Sequence, residues 1–213
     1  MALVHKKTNA IRTQLDKLGL SIEILSETIR RSELRRRQFS GLHPRIVAGI
    51  VCWGEKIAAL RDMLSPAGWI YDESGGLPKV ISPDGKVAIG ALSGDECTGN
   101  SSKDPRSRYK RGSQTVQLVY NNRQQLAWSD RELGIEPTSL EARKFQMWVL
   151  VTYSDGDLVR AEVSMPTFIG DNGHVEDFSE RIILPVVNLS DDLPPPNKVQ
   201  FTDDPIVDVR RKS

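Results

Sequence analysis

The stretch "FQMWVLVTYSDGDLVRAEVSMP", Phe145 to Pro166, decides the fold. Two apolar runs flank Asp155-Gly156, which is the signature of antiparallel strands closed by a tight turn. With Asp155-Gly156 in the turn, Ser154 pairs with Asp157. Leu150 then faces Ala161, Thr152 faces Val159 and Trp148 faces Val163, and these six form one largely apolar face. The opposite face sets Val149 against Glu162 and Val151 against Arg160. That mixture predicts a face either partly covered or carrying a binding surface.

Outward from this hairpin, "KVISPDGKVAIGAL" (79–92) predicts a second one, with Val80 and Ile81 before a Pro-Asp-Gly turn and Val87 and Ile89 after it. "TVQLVYN" (115–121) reads as a further strand, and "NRQQLAWSDRELGIEP" (122–137) has room for a short helix. "FIGDNGHVEDFSERIILPVV" (168–187) adds a turn at Asp171-Asn172-Gly173 and a strand over Arg181 to Val187, where Pro185 points to a sheet edge. "LSDDLPPPNK" is a stiff linker, and the tail after it docks as a short strand or stays loose.

Ahead of the strands the period is helical. Ile11, Leu15, Leu18, Ile22, Leu25 and Ile29 alternate spacings of four and three, a heptad seam. The helix either runs on to about Gln38 or breaks at "LGLS", with Gly19 closing one helix and Ser21 capping the next. A second helix, "HPRIVAGIVCWGEKIAALRDMLSPAG" (43–68), repeats the spacing at Ile46, Ile50, Trp53, Ile57, Leu60 and Leu64 and reads as largely buried. A plain hairpin of the two helices fails near their connection. There the arginine-rich end of the first would lie against Ile46 and Ile50. The second helix is therefore expected on the sheet, with the basic end of the first projecting. The reading is an α+β protein: an antiparallel sheet of hairpins backed by a buried helix, with a helical arm (1–42), an α+β domain (43–189) and a Pro-rich linker and tail (190–213).

Composition narrows the class. The 213 residues are 38% hydrophobic and 27% charged, a globular composition with room for a core. "IVAGIVCWG", the longest uncharged apolar run, falls well short of the ~20 residues of a membrane span, and no secretory leader is visible in "MALVHKKTNAIR". Two cysteines and three histidines argue against a disulfide framework or a Cys/His metal site, so a cytoplasmic protein without a membrane partner is expected. The net charge of +1 hides segregation: residues 6–37 carry +5, residues 103–111 carry +4, and the rest carries −8. Two basic islands on an acidic protein suggest oriented attraction to something anionic.

Three functions compete. The seam of Ile11, Leu15, Leu18, Ile22, Leu25 and Ile29 offers a protein partner or a second copy a place to associate, which makes a non-catalytic adaptor the leading expectation. Nucleic acid is the alternative. It would use Arg30, Arg31, Arg35, Arg36 and Arg37 with Lys103, Arg106, Arg108, Tyr109, Lys110 and Arg111, the tyrosine stacking a base among phosphate-holding cations. The five arginines, however, point to nearly every side of a helix and Glu33 can pair with Arg30 and Arg37, so a solvated helix end prevails. The third option is a metal-dependent, nuclease-like enzyme centred on residues 93–99, with Asp95 and Glu96 holding Mg²⁺, Glu162 as a further carboxylate and Lys110 steadying water. Against it, a polar surface loop explains the same residues. Cys97 follows two acids, which disfavour the thiolate, and it would need His43 or His174 to act as a nucleophile.

Two likenesses bear on these options. "IRTQLDKLGLSIEILSETIRRS" (11–32) resembles a phage-repressor-type helix-turn-helix, with Gly19-Leu20-Ser21 at the turn and Ser32 capping the reading helix. It departs from that pattern at Arg30, where a glycine is usual, and at Arg36, where the core is due. "GIVCWGEKIAALRDMLSPAGW", "AIGALSGDECTG", "YKRGSQTVQLVYNN" and "MWVLVTYSDGDLVRAEVSMP…ERIILP" resemble a family of uncharacterised bacterial proteins from about Ser21 to Val187. That resemblance implies a bacterial cytoplasmic protein, with a place in a mobile-element or phage-defence gene set, and leaves chemistry open.

Overall fold

A computed structural model describes residues 2–74, 77–129 and 145–190. The elements run β1 (Leu3–His5), α1 (Thr8–Lys17), α2 (Ile22–Arg36), α3 (Arg45–Leu64), β2 (Ile70–Asp72), β3 (Lys79–Ile81), β4 (Val87–Ser93), α4 (Ser113–Ser129), β5 (Gln146–Asp155), β6 (Leu158–Ile169), β7 (Val175–Ile183) and β8 (Val187–Asn188). The strand order is β1-β7-β6-β5-β4-β3-β2, with β8 paired to β6. The class is α+β. The sheet is mixed, because β1 runs parallel to β7 and β4 parallel to β5. The linker and tail from residue 191 on, the proposed docking of that tail, and the later part of the 122–137 helix lie outside the described residues.

The β5–β6 hairpin keeps its predicted faces but not its register. Leu150 pairs with Val163 and Thr152 with Ala161, and Asp155 with Leu158, so the turn is Gly156-Asp157. Gly156 has φ +60°, and among the described residues no non-glycine residue has positive φ. Positive φ at the first loop residue alone is what a type II′ connection requires, whereas the Asp-Gly reading needs it at both. The slip moves partners by an even step, so no side chain changes face.

α1, α2 and the second half of α3 cover one face, where Leu15, Leu25, Ile29, Leu60 and Leu64 pack on Ile89, Trp148, Leu150, Ala161 and Val163. The N-terminal segment is thus core and not an arm. It breaks at Gly19 (φ +70°), where Gly19 N–H donates to Asp16 O and Leu20 N–H to Leu15 O, a Schellman end. A Cβ at Gly19 would also come within 3.3 Å of the Trp69 ring. Ser21 then caps α2, accepting from Ile24 N–H at 3.2 Å. No turn follows at Arg30–Ser32. Ser32 is buried inside α2 and donates to Ile29 O, so the helix-turn-helix likeness does not hold.

α4 lies across the other face and corrects the strand reading of residues 115–121. Val116, Leu118 and Tyr120 alternate like a strand, yet Leu118, Val119 and Asn122 fall on one helical side. Asn122 is fully buried and bridges β5 and β6: its Nδ2 donates to Met147 O and Pro166 O, and its Oδ1 accepts from Met147 N–H. The mixed face of the hairpin is therefore covered. The last long strand spans 175–183, and its neighbours β6 and β1 make it internal. Pro185 falls in the connection to β8, so it no longer marks an edge.

Candidate binding site

α3 is divided along its length. Cys52, Lys56, Ile57, Ala59, Leu60 and Leu64 are buried, while Ile46, Ile50 and Trp53 are 67%, 54% and 37% exposed. The helix expected to be largely buried is so only in its second half. The misfit seen in the sequence is the cause: the part of α2 beside this end of α3 ends in arginines and cannot cover an apolar stripe. An apolar groove of about 260 Å³ results, lined by Ile46, Ile50, Trp53, Leu92, Tyr109 and Arg111.

A polar pocket of about 110 Å³ adjoins it, sharing Gly49, Ser93 and Tyr109. It opens where β4 and β5 end side by side, with Ser93 paired to Thr152, and carboxyl ends of parallel strands are a recurrent place for ligand sites. Lys56, buried at the middle of α3, donates to Thr152 Oγ1 at 2.6 Å. Glu33 of α2 is also buried and accepts from Arg36 Nε at 2.5 Å. Burial alone would raise the Glu33 carboxyl, but Lys56 and Arg36, helped by the Ser154 hydroxyl, hold it below its usual value. Burial, with Glu33 beside it, pushes the Cys52 thiol up, so this thiol is a poor nucleophile. Burial also lowers the pKa of Arg111 at the groove wall, against a smaller opposing effect of Tyr109.

The loop carrying Arg108, Tyr109 and Arg111 is held from beneath. Arg181 and Glu162 form a buried pair at 2.6 Å, and Arg181 also donates to Asn100 O, Lys103 O and Asp104 Oδ1. Glu162 accepts from Gly99 N–H and Ser164 Oγ. Burial works against the Arg181 charge, yet its bonds to Glu162 raise its pKa overall. Glu162 is accordingly a structural anchor and not a partner of Asp95 or Glu96. Asp95 Oδ1 accepts from Cys97 N–H, and among the described residues no three Asp, Glu, His or Cys side chains are grouped to hold an ion. His174 is turned to Ser107 O and His43 to Ser40, so neither serves Cys97.

The arginine run is largely paired within the chain. Arg31 meets Asp62 at 2.7 Å and Glu55 at 3.5 Å, Arg37 meets Asp157 at 2.7 Å, Arg30 meets Glu27 at 3.9 Å, and Arg35 donates to Gln38. In the second island Arg106 meets Glu176 at 3.0 Å. Neither Lys103 nor Lys110 lines the groove or the pocket. Arg36 of the first island and Arg108 of the second both line the polar pocket. Of the seam residues, Ile11, Leu15, Leu18, Leu25 and Ile29 are buried against this chain's own core, and Ile22 packs at its border. The sequence reading missed several site residues: Ile46, Ile50 and Trp53 were read as core, and Glu33, Lys56 and Thr152 were not singled out for a site. For Lys56, a lysine four residues from Cys52 and from Leu60, on a buried stripe, was the available signal.

Comparison with protein-family models, with characterised proteins and with solved structures returns no match. No helix among the described residues is long and apolar enough to cross a membrane.

Proposed function

We propose that the chain is a non-catalytic binding protein that receives an acidic, amphipathic helix of a protein partner on the exposed half of α3. The observation that carries this reading is the open stripe of Ile46, Ile50 and Trp53. Its four-three spacing is the pattern one helix offers another, and two turns of it span roughly 10 Å. The border supplies the charge preference: Arg36, Arg108 and Arg111 surround groove and pocket, and among the described residues the one carboxylate lining them is the paired Glu33. The surface engaged thus differs from the N-terminal seam, which the sheet already occupies. A binding role also suits the polar side chains. Lys56 is tied to Thr152 Oγ1, and the Cys52 thiol is buried beside a carboxylate.

The test compares wild-type protein with Ile50→Asp as baits in the native host, followed by reconstitution with the purified candidate and calorimetry. The expected result is a partner that binds wild type with micromolar affinity and Ile50→Asp at least tenfold more weakly, because a charge in an apolar groove is left uncompensated. Equal binding by both proteins would remove the groove from the account. Duplex DNA bound at micromolar level, and weakened by reversing Arg35, Arg36 and Arg37 to Glu, would favour nucleic acid instead.

A further inference from the structure

The polar pocket beside the groove has a composition that the groove alone does not explain. Lys56 is 3% exposed, yet its ammonium has one hydrogen bond, to Thr152 Oγ1. An ammonium carries three donors, so two are left facing a pocket whose walls add the Ser93 and Ser154 side chains. Glu33 does not use them: no ion pair within 4.0 Å joins it to Lys56, and its nearest cation is Arg36. Lys56, Arg36 and Arg108 against Glu33 leave the lining with a formal excess of two positive charges. A buried cation with spare donors is stabilised by an oxygen anion that can accept them.

We infer that this pocket seats one carboxylate, supplied by an Asp or Glu side chain of the helix lying in the groove. The inference rests on the protein-partner reading for the source of the carboxylate, but not for the anion site itself. About 110 Å³ admits a carboxylate with the waters that accompany it. The Glu33 carboxylate in the same wall favours a singly charged group over a dianion. The three residues shared by groove and pocket place the acid at the edge of the apolar stripe, so an apolar turn followed by an acidic residue matches both. Arg108, exposed at the rim, meets the carboxylate first, and Lys56 holds it at depth.

The test uses the full chain and acetate as the probe, followed by amide chemical shifts, with chloride at matched ionic strength as the control. Acetate is expected to move the Ser93, Gly94 and Thr152 amides along a saturable curve with millimolar Kd, a value within reach of so small a ligand. Lys56→Met should weaken it at least tenfold and Arg108→Gln severalfold, as loss of a charge-assisted bond requires. If Lys56→Met does not fold, Arg108→Gln alone decides, since its side chain is exposed. Shifts that stay linear and match chloride, or a curve unchanged in the folded variants, would overturn the site. Inorganic phosphate saturating more tightly than acetate would overturn the carboxylate assignment. Acetate binding needs no partner, so its curve reports the anion pocket alone, and loss of the partner reading and loss of the anion pocket are separately visible.

Discussion

Leu25→Ala and Ile50→Ala remove similar amounts of aliphatic side chain from adjacent helices and should have opposite consequences. Leu25 is fully buried between α2 and the sheet, and its truncation costs the transfer of the lost carbons plus an unfilled cavity, about 3 kcal/mol. Ile50 is 54% exposed, so the stability it contributes to the isolated chain is at most ~1 kcal/mol. With a urea m-value of roughly 2 kcal/mol/M for a chain of this size, the midpoint should fall by about 1.5 M in Leu25→Ala and by less than about 0.5 M in Ile50→Ala. Equilibrium urea unfolding of the isolated protein, followed by tryptophan fluorescence and far-UV circular dichroism, provides the comparison. The partner-binding assay should give the reverse ranking. A Leu25→Ala midpoint within 0.5 M of wild type, beside a large loss in Ile50→Ala, would refute the reasoning. The seam would then be the free surface and the α3 stripe the packed one.

Arg181→Met should lower stability by about 3–5 kcal/mol, since it strands the Glu162 carboxylate in the core, and protease cleavage near Asn100–Asp104 should accelerate; a urea midpoint near wild type would contradict the anchoring role. Acid should destabilise the fold through Glu33 and Asp72, whose carboxyls lie below their usual values, Asp72 at about 2. Burial opposes the Asp72 shift, but hydrogen bonds from Ser74 and the Lys79 charge outweigh it. Depressed folded values mean that this stabilisation is complete above the unfolded values near 4 and lost as pH falls through the folded ones. The melting temperature should therefore drop most steeply between about pH 4.5 and 2, and less steeply in Asp72→Asn; an unchanged slope would exclude Asp72 as a contributor. Millimolar Mg²⁺ should leave the melting temperature flat, because Asp95 is occupied by its own turn. A saturable rise abolished by Asp95→Asn would restore the metal-bound loop.

Several features were legible in the sequence because they depend on period alone. The faces of the β5–β6 hairpin follow from alternation, which an even register slip cannot alter, whereas the register depended on one glycine dihedral. The heptad seam was readable as a seam, but its spacing does not say whether the facing surface is a helix or a sheet, or whose chain provides it. α4 was misread because Val116, Leu118 and Tyr120 alternate like a strand, while the positions that pack inward, Leu118, Val119 and Asn122, are spaced for a helix. The arginine run could not be assigned locally, since Arg31 and Arg37 find carboxylates 31 and 120 positions away. The incompatibility between the arginines and Ile46–Ile50 was visible from the start. Its outcome was not, because the chain leaves the apolar stripe open instead of moving the arginines away.

The parallel pairing of β1 with β7 has a consequence for how the chain is made. His5 bonds to Glu180, 175 positions later, so the outer strand of the sheet cannot find its neighbour until nearly the whole described chain has been synthesised. At 5–20 residues per second, that delay is roughly 10–35 s. For much of it α1 and α2 hold a finished apolar stripe with no sheet to cover, since β5, β6 and β7 all emerge later. The nascent protein therefore passes through a period in which its stickiest helices wait uncovered. Fast dilution refolding and ribosome-bound folding should consequently differ in yield, and a chaperone that shields the first forty residues should narrow the gap.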